Sequence, residues 1–193
     1  DSGGHQNITQ TYGLATIQGN VSVMLSYHGD LTLSRLIQKY RNALPLRIAK
    51  YTIPQIFSAV DFLHSKLVIH NMLTTENIWM ESSASGFKPI LGDFSKACRE
   101  CTAKKLTQSQ QKNMIFSHFP PEVLKGYCKP SIFSDAYALG KLLSEVFPKL
   151  DKTDETERAL LKLQTMLLSD NPGERLIMDF QSHLEVCFVN DCY

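Results

Sequence analysis

The chain lacks any apolar run of the roughly 18 residues that mark a membrane-spanning helix, so the sequence offers no candidate span. It also lacks an excess of charge. Twenty Lys and Arg stand against 19 Asp and Glu, a formal net charge of +1. Without a field of one sign, nothing points to a nucleic-acid or membrane partner. Cysteine is scarce and odd in number: Cys98, Cys101, Cys128, Cys187 and Cys192. Such usage fits reduced thiols, and a cytoplasmic protein is the expectation. Cys98 and Cys101 make one C-x-x-C, but a zinc site asks for a second pair at matching spacing, and Cys187 with Cys192 is a poor match. There is no internal repeat, no low-complexity tract and no secretory leader. The start at Asp1 rather than Met is read as a piece of something longer. Two triplets match the glycosylation sequon, at Asn7 and Asn20, and are set aside as chance matches.

What is present is an ordinary globular composition. The 193 residues are 43% hydrophobic and 20% charged, enough for one domain with a sizeable core. Residues 5–29 have hairpin character: strand formers at Thr9, Thr11, Tyr12 and Ile17, then Val21, Val23 and Leu25, around a Gly19-Asn20 turn. The rest reads as mostly helical. Leu33, Leu36, Ile37 and Tyr40 share a helix face. Ile53, Ile56, Phe57, Val60 and Leu63 carry the strongest helical period. Pro54 means either that this helix starts near Thr52 or that a longer one is kinked. A short strand at 67–69 follows, then a second hairpin across "ESSASG". Residues 95–118 form a long polar stretch without a clear period, as a functional or mobile loop does. Further helices are expected over "IFSDAYALGKLLSEVF", with Gly140 on a close-packed face, over "ETERALLKLQTMLL", and over "IMDFQSHLEVCF" at the end.

Several separated stretches, in one order, carry a resemblance. "FLHSKLVIHNMLTTEN" resembles the catalytic-loop region of protein kinases, whose pattern is H-R-D-L-x-x-x-x-N. "LGDFSKA" resembles the D-F-G magnesium motif, and "FPPEVLKG" the A-P-E segment. "SDAYALGKLL" and then "NPGERL" resemble the buried-Asp helix and late Arg of the same lobe. "HQNI" and "VMLSYHGDL" resemble the entry to the fourth strand and the fifth strand with its hinge. The chain is thus identified as similar to the eukaryotic protein kinase family, over almost its whole length.

The resemblance implies an α+β kinase-like fold. Residues 1–29 would be an N-lobe remnant of two strands and hinge, and residues 30–193 a helical C-lobe. The glycine-rich loop, the strand-three Lys and the helix bearing its partner Glu would lie before Asp1. His70 matches the packing His. Asn71 stands where the family's phosphate-reading Arg would be. Met72 stands at the position of the catalytic Asp, and a thioether is no base. Thr74 stands at the position of the Lys that steadies the transferring phosphate, so a positive charge is absent. Asn77 and Asp93 are kept as potential Mg²⁺ ligands, hard oxygen donors of the kind that ion takes. Ser95 replaces the Gly of D-F-G. Leu25 falls at the gatekeeper and Ser26, Tyr27, His28 and Gly29 at the adenine-contacting hinge. Glu122 and Arg175 match an ion pair, and Asp135 the residue that holds the catalytic loop through backbone N–H groups.

The implied function is that of a pseudokinase: an interaction or allosteric module with weak or absent phosphoryl transfer. Its cofactors by resemblance are ATP and Mg²⁺, and its partners are proteins and a nucleotide. The exposed basic run Lys96, Arg99, Lys104, Lys105 and Lys112 reads first as a solvated loop and second as a surface for an acidic partner. Two alternatives stand beside the pseudokinase. One is an active kinase, for which "TTEN" sits closer to the Ser/Thr pattern K-P-E-N. The other is a fragment without independent activity.

Overall fold

The structure, a computed structural model, describes residues 4–83, 86–112, 118–150 and 154–175. It opens on an antiparallel hairpin of β1 (Thr11–Ile17) and β2 (Asn20–Leu25), with Ile17 opposite Asn20. The turn is therefore Gln18-Gly19, one residue earlier than the sequence implied. Both residues are left-handed, at φ 50° and 80°, as a two-residue hairpin turn demands. Glycine meets that demand at the second position. Most apolar side chains of this hairpin face solvent, among them Tyr12, Leu14, Val21 and Val23.

Helix α1 (Leu33–Lys39) is capped by Thr32, whose hydroxyl accepts from the Arg35 N–H. It buries Leu33, Leu36 and Ile37; Tyr40 ends it and stays partly exposed. Helix α2 (Leu46–Ser65) is 20 residues long and continues through Pro54. Of the two readings of that proline, the longer helix is the one found. A helix tolerates an internal proline only where other forces hold it. Here Ala49, Ile53, Ile56, Phe57, Val60 and Leu63 are all buried on one face.

Strand β3 (Val68–Ile69) leads into the loop that carries the motif, and β4 (Ile78–Ser83) with β5 (Gly86–Leu91) forms the second hairpin. Residues 95–112 hold more regular structure than the lack of period over 95–118 implied. β6 (Cys98–Arg99) pairs antiparallel with β3, a 3₁₀ turn covers Glu100–Thr102, and Thr107 caps a short α3 (Gln108–Gln111). Then come α4 (Pro121–Leu124), α5 (Ile132–Val146) and α6 (Glu155–Leu167). The terminal helix expected over 177–188 lies outside the described residues.

One core unites these pieces. It is built from α1, α2, α5 and α6, with Ile78, Met80 and Leu91 of the second hairpin. The hairpin β1–β2 joins it through its ends. Residues 7–9 bond along β5, where the Thr9 N–H donates to Leu91 O and the Leu91 N–H to Asn7 O. Asn7 is itself buried and its amide donates to Gln55 and to Pro89 O, so in the folded chain its sequon offers no accessible nitrogen.

Gly140 marks a close approach of α5 to the end of α6. A Cβ there would lie 2.9 Å from Leu167 Cβ and Leu168 Cγ. Alanine favours a helix interior by about 1 kcal/mol over glycine, but overpacking costs about 1–3 kcal/mol. Gly140→Ala is expected to be net destabilising, seen as a lower urea midpoint at unchanged slope. A rise in midpoint would show that the two helices have room to part.

Candidate functional site

The loop from His70 to Asn77 is built around one carboxylate. Asp135 sits in the first turn of α5 and is 1% exposed. Its Oδ2 accepts the His70 N–H at 2.8 Å and the His64 Nε2–H at 3.0 Å. Its Oδ1 accepts the Asn71 N–H at 3.0 Å. The helix N-terminus favours the negative charge, and three donors satisfy it, which a buried carboxylate requires.

His70 is fully buried and uses both ring nitrogens. Nε2–H donates to Gly92 O at 2.9 Å, and Nδ1 accepts the Met72 N–H at 3.1 Å. That pairing fixes the neutral tautomer. Burial pushes its pKa below the ordinary value, against a smaller opposing pull from Asp135.

Asn71 is left-handed at φ 64°, a conformation asparagine accepts more readily than most residues. Its amide reaches across the loop to Lys96 O at 3.0 Å and Cys98 Sγ at 3.3 Å. His118 Nε2–H donates to Asn71 O at 2.6 Å. The position of the absent arginine is thus occupied by a clasp between the loop and the segment after Asp93. Met72 is buried, and its carbonyl oxygen accepts from Asn77 Nδ2 at 2.9 Å. Thr74 is half-buried and its carbonyl accepts the Asn77 N–H.

Asn77 and Asp93 are brought together across β4 and β5, where the Gly92 N–H donates to Asn77 O at 3.0 Å. With its nitrogen fixed on Met72 O, Asn77 has its amide oxygen left over, and that oxygen bonds to no described residue. Asp93 is left-handed at φ 53°, and its Oδ1 accepts the Ser95 N–H at 3.2 Å. Asp93 therefore caps a 3₁₀ turn over Phe94–Lys96, with Ser95 supplying the backbone donor.

Leu25 ends β2 with its side chain partly exposed. The segment after it is held by His28. Its Nε2 bonds Thr9 and Ser26, each at 3.0 Å, and its Nδ1 bonds Glu81 Oε1 at 2.7 Å. Tyr27 points outward, and Gly29 turns the chain at φ 81°. Arg175 is fully buried and grips Glu122 bidentately at 2.6 and 3.1 Å, with Nε–H on Ser169 O. Its guanidinium lies over the Tyr137 ring.

A frame of this kind, with these motifs in this order, is decided by comparison. A family model described as "Protein kinase domain" matches residues 1–183. The chain belongs to the protein kinase domain family. It is 26% identical over 159 residues to "Dual specificity testis-specific protein kinase 1" of Mus musculus, covering 79% of this chain and 25% of that protein. It is 28% identical over 146 residues to "Mitogen-activated protein kinase kinase kinase YODA" of Arabidopsis thaliana, covering 74% and 15%. It is 28% identical over 177 residues to "Aurora kinase" of Debaryomyces hansenii, covering 86% and 41%. The chain therefore spans well under half of each of these relatives. Within this kinase domain, three side chains that hold the loop were not singled out by the sequence reading: His64, His118 and the amide of Asn71. Their signal was only proximity to the motif.

Two outcomes test the frame. Asp135→Asn keeps the shape but turns one acceptor into an N–H facing another N–H; a loss of about 3 kcal/mol is expected. Urea unfolding measures it, with faster amide exchange at His70 and Asn71 as the local sign. For His70 the folded pKa lies below the unfolded value of 6.5. As pH falls below that value the unfolded chain takes up a proton that native His70 refuses. Stability is full above it and declines below, by at most about 1.4 kcal/mol per pH unit from this group. His70→Gln is expected to be less stable at pH 7.5 yet to lose less between pH 7.5 and 5.5.

Proposed function

We propose that this kinase domain is a pseudokinase: it keeps the family's frame, acts as a signalling interaction or allosteric module, and transfers phosphate weakly or not at all. The observation that carries this reading is the buried side chain of Met72. From Asn71 to Thr75 no side chain is titratable, and His70 is committed at both nitrogens. Glu76 is exposed and lines a cavity with Gly29 and Asp30 instead. A positioned general base contributes roughly 10²- to 10⁴-fold. Thr74 brings no cation to offset charge on the transferring group.

The residues do fit a hard cation. The free amide oxygen of Asn77 and the Asp93 carboxylate are oxygen donors of the type Mg²⁺ takes alongside waters and phosphate oxygens. When bound, the ion would neutralise phosphate charge. Asn77 would orient its oxygen because its nitrogen is pinned to Met72 O, and Asp93 would be aimed by its bond from Ser95. The segment Leu25 to Gly29, fixed through His28, would meet the base of ATP. A domain that binds nucleotide and lacks the groups for transfer has binding as its remaining use, with protein partners as its readout.

Retention of both oxygen donors also favours a second reading, a slow active kinase, since phosphoryl transfer depends largely on positioning. A radiolabelled phosphate-transfer assay on the full-length parent protein separates the two. No transfer above background is expected from wild type, and a measurable signal from Met72→Asp combined with Thr74→Lys. Robust wild-type turnover would overturn the pseudokinase reading.

A further inference from the structure

The near-neutral chain hides a division of charge. Residues 95–130 hold seven of its 20 Lys and Arg but two of its 19 Asp and Glu, which leaves 13 against 17 elsewhere. One of the two acids, Glu122, is committed to Arg175. The other is Glu100.

In sequence these cations fall into two groups, at 96–112 and at 125–129. The fold joins them. Lys129 Nζ donates to Glu100 O at 3.1 Å, which sets its ammonium beside the turn that follows Arg99. Leu106 packs against Phe119 and Val123, so the segment carrying Lys104 and Lys105 rests on α4, and Lys125 follows the end of that helix. Gln111, at the end of α3, lies against Gly126, where a Cβ would fall 2.6 Å from its Nε2. Lys96, Arg99, Lys104, Lys105, Lys125 and Lys129 are all exposed. None has a carboxylate partner among the described residues. The backbone beneath them is fixed. The Glu100 N–H donates to Leu67 O, the Ala103 N–H to Glu100 O, and Thr102 Oγ1 to Arg99 O. Thr107 and Gln110 close a capping box. Cations on a fixed backbone lose less freedom on meeting a partner than those of an open loop.

The chemistry suits carboxylates. Like charges gathered in one region repel, and acidic side chains of a partner relieve that repulsion. A long polyanion suits it less, because beyond the patch it would meet a remainder with an excess of negative charge. A bilayer asks for apolar side chains exposed beside the cations, and here Leu106 and Leu124 are packed inward. We propose that the face formed by residues 96–105 and 125–129 docks an acidic segment of a partner protein, whose carboxylates pair with those six cations. The inference rests on the reading of this domain as an interaction module and names the chemistry of its partner.

The probe is a fluorescein-labelled peptide of alternating glutamate and glycine, with a glutamine–glycine peptide as its neutral counterpart, followed by anisotropy on the full chain. The glutamate peptide is expected to bind, more weakly as salt is raised, and the glutamine peptide not to bind. Lys104→Glu combined with Lys105→Glu is expected to weaken binding by roughly tenfold or more. Both side chains are exposed and bond to no described residue, so the thermal midpoint is expected to stay where it is. Arg158→Glu combined with Lys162→Glu makes the same change of charge on α6, at two exposed positions, and is expected to leave binding almost unchanged. Equal loss in both double variants would reduce the effect to net charge and overturn the docking face. So would a glutamate peptide that does not bind, or tighter binding of single-stranded DNA or of phosphatidylserine vesicles than of the peptide. Each of these failures leaves the groups missing at 72 and 74 as they are, and the transfer assay alone decides on those.

Discussion

The loop depends on a carboxylate that holds it through its backbone. Two of the three donors on Asp135 are the main-chain N–H groups of His70 and Asn71. Such groups are supplied by any residue except proline. The conformation of the loop is therefore insulated from the identity of the side chains that follow. Met72 and Thr74 can replace an acid and a base without releasing the frame, because the frame never drew on them. The reverse dependence is strong. A buried carboxylate stripped of its donors, or two buried N–H groups stripped of their acceptor, each carries a desolvation cost of kilocalories.

Around that anchor, substitutions have been absorbed by short local contacts. An arginine at position 71 would need a distant anion. Asn71 instead closes on Lys96 O and Cys98 Sγ, within the small sheet that β3 and β6 form. The consequence is that the start of the segment after Asp93 is tied to the loop by neutral hydrogen bonds. The Arg175–Glu122 pair works on a longer span. It joins residue 122 at the end of that segment to the turn after α6, and the bidentate fork gives direction as well as attraction. A fully buried arginine is retained at a desolvation cost, so its worth lies in fixing where α4 sits. Its third and fourth contacts, on Ser169 O and Phe133 O, place two further donors on backbone.

Much of the fold could be read from the sequence because burial writes a period into it. The apolar residues of α2, α5 and α6 recur at helical spacing, and Gly140 fell on the face where two helices touch. Order of motifs then placed Asp135, Asn77 and Asp93 in the family. Legibility stopped where structure rests on polar contacts without period. Residues 95–118 looked like an open loop because β6 is two residues long and its partner β3 equally short. The β1–β2 turn was displaced by one residue, since Gln18 takes a left-handed conformation that its side chain does not announce. At the site, motif positions reveal what is missing and not what the replacement does. Asn71 was legible as a lost arginine, and its clasp was not, for the acceptors are a carbonyl and a sulfur 25 and 27 residues away.

The same limit explains why the basic surface was only half legible. As letters, Lys96, Arg99, Lys104, Lys105 and Lys112 make one run. Lys125 stands 20 positions beyond Lys105 and joins it only because Leu106 rests on Phe119 and Val123. Lys129 joins through its bond to Glu100 O. Taken with the loop, this separates two sets of residues. Those at 72 and 74, which the family uses for chemistry, are apolar or neutral here. Those on the face of 96–105 and 125–129 are charged, exposed and without a carboxylate partner among the described residues. Positive charge is thus absent from position 74, where transfer needs it, and gathered where another protein can reach it.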